Sequence, residues 1–172
     1  MKKKPTPHRS DNIILIGMMG SGKSSVGIAL SYNIGWDFVD FDDLIEKKEG
    51  RTISEIFSND GEEYFRKVES NILKEFKGKH IIVATGGGIV ENVENIDILK
   101  KVGTVFYLKA SAEELYKRVQ KETHRPLVKD EESFKQILKR REKLYEKADF
   151  TIDTTKKRTG DIAEEIYEKI NG

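Results

Sequence analysis

Eight consecutive residues carry the densest chemistry in the chain. They are Gly17-Met18-Met19-Gly20-Ser21-Gly22-Lys23-Ser24, which satisfies the phosphate-loop pattern G-x-x-x-x-G-K-[ST]. Glycines at these positions let successive backbone N–H groups turn inward onto phosphate oxygens. A helix beginning near Gly22 would bring the positive end of its dipole to the same point. In that arrangement Gly20, Ser21, Gly22, Lys23, Ser24 and Ser25 surround a nucleoside triphosphate. Lys23 reaches the β- and γ-phosphates, and the Ser24 hydroxyl sits on Mg²⁺. The plain alternative is a glycine-rich turn with a solvated lysine, but an apolar run before the loop and a helical run after it favour phosphate. A dinucleotide loop is the sharper rival, because Asp40 falls roughly 20 residues on, where a ribose-binding acid is expected. The glycines run G-x-x-G-x-G rather than G-x-G-x-x-G, however, and such a loop has no use for Lys-Ser.

The acceptor of the phosphate has to be sought elsewhere. Asp40-Phe41-Asp42 closes a second apolar run, and strand alternation would turn both carboxylates to one side, toward the crevice of an open parallel sheet. One acid could hold magnesium's water and the other an acceptor hydroxyl; capping a helix N-terminus would suit them equally. Arg66 has Glu62 and Glu69 at helical spacing and Arg118 has Glu114, so both could be ordinary ion pairs. Arg141 lies in the charge run Lys139-Arg140-Arg141-Glu142-Lys143, the usual mark of a solvated helix face. Arg125-Pro126 reads equally as a loop boundary.

Short apolar runs at 12–16, 37–41, 80–84, 104–108 and 150–153 must position these groups. They alternate with helix-period stretches at 23–32, 62–76, 93–102, 112–120, 134–147 and 161–170 and with charged segments at 43–48 and 54–57. Residues 122–130, with Pro126 and little periodicity, read as a loop. Strands separated by helices predict an α/β fold, a parallel sheet flanked by helices. The 172 residues suit one domain over 12–172, after a basic tail over 1–11 expected to be disordered. Lys and Arg total 31 against 30 Asp and Glu, for a net charge of +1, which argues against a nucleic-acid partner. Charged residues reach 35%, above the usual roughly 25%, so the surface is charge-dense and a monomer is expected. There is no cysteine, which excludes disulfide scaffolds and thiolate zinc sites, and His8, His80 and His124 are too scattered to propose a metal. No apolar stretch approaches the roughly 18–20 residues of a membrane span, and the basic start lacks the apolar core of a secretory signal. A cytoplasmic protein with no membrane partner is expected.

From about Asn12 onward the chain resembles the shikimate kinase family. The matching strings are Gly-Met-Met-Gly-Ser-Gly-Lys-Ser-Ser-Val-Gly (17–27), Phe-Val-Asp-Phe-Asp (38–42), Gly-Arg-Thr-Ile-Ser-Glu-Ile-Phe (50–57) and Gly-Glu-Glu-Tyr-Phe-Arg-Lys-Val-Glu (61–69). Thr-Gly-Gly-Gly (85–88), Arg-Pro-Leu (125–127) and Arg-Glu-Lys-Leu-Tyr (141–145) follow in the family's order. The resemblance implies a three-layer P-loop kinase fold with a five-stranded parallel sheet, a lid near 122–131 and a substrate subdomain near 42–76. It implies transfer of the ATP γ-phosphoryl group to the 3-hydroxyl of shikimate, with Mg²⁺ as cofactor. By position, Lys23, Asp42 and Arg125 would be catalytic. Ser24 and Asp40 would serve the magnesium, and Arg118 would lie against adenine, with Arg125 closing on the phosphoryl group. Asp42, Arg66, Gly87, Gly88 and Arg141 would bind shikimate, the two arginines gripping its carboxylate. The chain departs from the family pattern at Thr155-Lys156-Lys157-Arg158, which offers lysines where arginine is expected near adenine.

Overall fold

The run Asn12–Ile16 forms strand β1, buried along its whole length. Its side chains alternate between two cores: Ile14 and Ile16 enter one, Ile13 and Leu15 the other. Only a strand covered on both faces buries both sets, which is why the run is uniformly apolar. The computed structural model describes residues 12–121 and 129–172. Helix α1 (Lys23–Ile34) follows the loop, then β2 (Asp37–Asp40), α2 (Phe41–Glu49) and α3 (Ile53–Glu75). Next come β3 (Ile81–Ala84), a 3-10 turn at Ile89–Glu91, α4 (Val93–Val102), β4 (Gly103–Lys109) and α5 (Ala112–Gln120). The described chain ends with α6 (Glu131–Tyr145), β5 (Phe150–Asp153) and α7 (Thr159–Asn171).

All strand pairings are parallel, in the order β2-β3-β1-β4-β5. The five-stranded parallel sheet expected from the alternating pattern is thus present. Val26 and Leu30 of α1 and Ile162, Ala163 and Ile166 of α7 cover one face. Helices α3, α4, α5 and α6 cover the other, through side chains such as Phe65, Ile72, Leu99, Leu115 and Phe134. Because β1 is central, the loop after it opens at the carboxyl edge of the sheet, where open α/β folds bind ligands.

Three local expectations are corrected. Strand β2 stops at Asp40, because its carboxylate accepts a hydrogen bond from the Asp42 N–H at 2.9 Å and caps α2. Asp42 therefore stands on the first helical turn and does not share a strand face with Asp40. The segments 54–57 and 62–76 are parts of one element, α3, bent at Gly61, whose φ of 82° interrupts the helix. The helix expected over 134–147 begins earlier, at Glu131, behind an Asp130 cap.

Candidate active site

The phosphate loop turns from β1 into α1 with Gly22 at φ 86°, a left-handed conformation that a side chain would strain. Gly22 offers no capping side chain, and no acid stands in the first turn of α1. The positive end of the helix thus faces the cleft, as anion binding requires. Lys23 folds back over the loop: its Nζ donates to the Gly17 carbonyl at 2.8 Å, the Met18 carbonyl at 3.1 Å and the Ser21 Oγ at 3.3 Å. A cleft of about 630 Å³ opens beside it, lined by residues 20–26, Asp40, Asp42, residues 85–87, Arg118 and residues 157–159. Lys157 and Arg158 therefore reach the cleft wall, although the sequence alone left their part open. Arg118 donates to the Gly20 carbonyl at 3.2 Å while paired with Glu114, so its side chain lies across the loop.

The Ser24 hydroxyl donates to Asp40 Oδ2 at 2.6 Å. Asp40 thereby does two jobs, since its Oδ1 caps α2. Ser24 and Asp40 present hard oxygen donors on the rim of the cleft, the set that suits a magnesium ion arriving on a nucleotide. Among the described residues no three His, Cys, Asp or Glu side chains gather into a metal cage.

A second, narrower slot of about 70 Å³ adjoins the cleft, lined by Met19, Asp42, Ile53, Phe57, Phe65, Arg66, Gly86, Gly87, Gly88 and Arg141. Asp42, Gly86 and Gly87 line both spaces and so form their junction. Arg66 stacks over Phe65 at 5.1 Å and donates to Glu69 at 3.0 Å and Glu62 at 3.4 Å. The ion pairs legible in the sequence exist, but Glu69 is fully buried, so this is no surface lacing. Arg141 overturns the solvated-face reading outright: it is 0% exposed. Its Nη2 donates to Glu91 Oε2 at 3.2 Å, and Nη1 approaches Met18 Sδ at 3.8 Å. The Nε atoms of both arginines are buried with no hydrogen-bond partner among the described residues.

Burial pushes the Glu69 carboxyl up to about 7; Arg66 and Arg141 pull it down while Asp42 raises it further. Glu91 is shifted the other way: burial opposes its charge, but Arg141 and Arg140 outweigh burial and hold it below the usual carboxylate range. Sequence reasoning passed over Glu91 and Tyr145, whose hydroxyl donates to the Gly87 carbonyl at 2.5 Å. Neither carries a motif signal beyond Tyr145 closing the string 141–145. Of the expected site residues, those of the loop with Asp40, Asp42, Arg66, Gly87, Gly88, Arg118 and Arg141 converge on the two spaces. Arg125 lies outside the described residues, as do residues 122–128 of the expected lid.

A family model described as shikimate kinase matches residues 19–171. A shikimate kinase of Thermodesulfovibrio yellowstonii is 46% identical, the match covering 93% of this chain and 96% of the relative. One from Caldanaerobacter subterraneus subsp. tengcongensis is 41% identical over 94% and 98% of the two chains. Among solved structures, shikimate kinase from Acinetobacter baumannii in complex with shikimate superposes with a TM-score of 0.90 at 38% identity, covering 94% of this chain and 93% of that one. A gluconokinase from Sinorhizobium meliloti, at 18% identity and a TM-score of 0.59, shares the fold alone.

Proposed function

The chain belongs to the shikimate kinase family, and we infer that it transfers the γ-phosphoryl group of ATP to the 3-hydroxyl of shikimate, releasing ADP and shikimate 3-phosphate. The observation that carries this reading is the junction at Asp42: the triphosphate cleft and the arginine-lined slot open onto the same carboxylate. Shikimate bears one carboxylate and three hydroxyls. Its carboxylate would lie against Arg66 and Arg141, whose planar forks match it better than a lysine would. The 3-hydroxyl then points to Asp42, and the ring rests on the bare backbone of Gly87 and Gly88.

The hydroxyl oxygen attacks the γ-phosphorus, the bond to the β–γ bridging oxygen breaks, and ADP leaves. Asp42 orients the hydroxyl and accepts its proton as the new P–O bond forms. Lys23 and the N–H groups of residues 20–25 hold the phosphates and offset their charge. A magnesium ion at Ser24, with Asp40 holding its water, would add further shielding of the β- and γ-phosphates. Arg118 serves the adenine side and Arg125 the transferring phosphoryl. Segment 42–76 acts as the substrate subdomain and 122–131 as the lid. The enzyme works as a cytoplasmic monomer, where ATP is at hand, with a densely charged surface.

ADP release with Mg-ATP should depend on shikimate and be near background with gluconate, a nucleoside monophosphate or no acceptor. Faster turnover of gluconate would overturn the substrate assignment.

A further inference from the structure

Glu91 stands at the centre of three arginines. It lies on the 3-10 turn directly after Gly88, and its N–H donates to the Gly88 carbonyl at 3.0 Å. Its Oε1 accepts from Arg140 Nε at 2.8 Å and pairs with Arg140 Nη2 at 2.6 Å, from the solvent side. Its Oε2 accepts from Arg141 Nη2 at 3.2 Å and lies 3.8 Å from Arg66 Nη2. Glu91 does not line the acceptor slot; Arg66 and Arg141 do. Its carboxylate therefore bonds one guanidinium group and lies within ion-pair distance of the other, from outside the lining of the slot.

The energetics give that placement a purpose. Two guanidinium groups converging on one small anion repel each other until the anion arrives, and their burial makes the repulsion stronger than in water. Arg66 has Glu69 and Glu62 to hold it. Among the described residues, Glu91 is the one carboxylate within ion-pair distance of the buried Arg141. Without it, Arg141 would carry a buried charge with no fixed counter-charge.

We propose that Glu91 is a positioning residue for acceptor recognition: it bridges Arg141 and Arg66 so that both present donors to one carboxylate of the acceptor. The inference rests on the acceptor reading above. Because Glu91 shares a turn with Gly88, the same few residues set both the arginine spacing and the backbone floor of the slot.

The test is steady-state kinetics and calorimetric shikimate binding on the full chain, with Glu91→Ala and Glu91→Gln. Glu91→Ala should raise the KM and Kd for shikimate about 10–100-fold, with kcat and the KM for ATP within about threefold of wild type. Glu91→Gln keeps an acceptor for Arg141 but loses the charge, and should fall between. An unchanged shikimate KM would overturn the proposal. So would a lowered one, which would make Glu91 a competitor of the acceptor carboxylate. Equal losses for both substrates would reduce Glu91 to a support of the fold and overturn it as well. Wild-type protein that neither binds nor phosphorylates shikimate would overturn the acceptor reading and this inference with it, a result distinct from failure of the variants alone.

Discussion

Lys23 reaches back over its own loop to the Gly17 and Met18 carbonyls, on the wall of the cleft proposed for the phosphates. Replacing it with Ala should lower kcat/KM by about 10²–10³-fold, the usual cost of losing one donor to transition-state charge. Circular dichroism should show the fold kept; near-wild-type ADP release would remove the loop from the mechanism. Glu69 makes a different prediction at the same scale. Its Oε1 accepts from Arg66, while Oε2 is buried with no partner among the described residues. Burial first, and Asp42 after it, raise its carboxyl to about 7 from an ordinary 4.5. Between those values the folded chain holds a proton that the unfolded chain has shed, so stability falls as pH rises and levels off above about 7. From pH 5 to pH 7.5 the wild type should lose about 1–3 kcal/mol relative to Glu69→Gln, which has no proton to lose. Parallel denaturation curves for the two proteins across that range would contradict this.

At the scale of elements, the turn after β3 is the part that the site can least afford to change. A Cβ built on Gly88 would collide with the Arg66 guanidinium group. Arg66 is held by Glu69 and by the Phe65 ring, so the collision falls on a guanidinium group that lines the slot. Gly88→Ala should therefore raise the KM for shikimate at least about tenfold and leave that for ATP nearly unchanged. Equal effects on both would show that the turn supports the whole sheet edge rather than the acceptor. The capping of α2 by Asp40 is a similar economy: one carboxylate ends the strand, starts the helix and meets Ser24. Spacing leaves a helix cap and a magnesium side open for Asp40; Oδ1 makes the cap and Oδ2 meets Ser24, so the cap does not exclude the magnesium role proposed above.

For the molecule as a whole, the division of β1 between two cores separates the acceptor slot from the core beneath α1 and α7. Leu15 is fully buried on the face covered by α1 and α7, whereas the acceptor slot is built from the helices of the opposite face. Leu15→Ala should cost about 2–5 kcal/mol in urea unfolding, yet activity per folded molecule should stay within about twofold. A large loss of specific activity at full folding would show that the sheet transmits packing changes to the loop.

The phosphate loop, the strand–helix alternation and the family strings were legible because each depends on neighbours close in the chain. Glycines, a lysine and a serine at set spacing have their meaning locally, and a strand buried on both faces must be apolar throughout. Arg141 shows where that reasoning stops. In the run 139–143 it looks like any charged helix position, and only the seating of α6 beside Met18 and Glu91 takes it out of water. Spacing puts Asp42 on a strand, because the cap that ends β2 is a three-dimensional choice between hydrogen bonds. Glu91 and Tyr145 gain their contacts across sequence separations of 50 and 58 residues. The sequence by itself determined the fold class and the phosphate chemistry. The tertiary structure alone decided which charges are buried together, because desolvation and pairing depend on distances that chain spacing does not set.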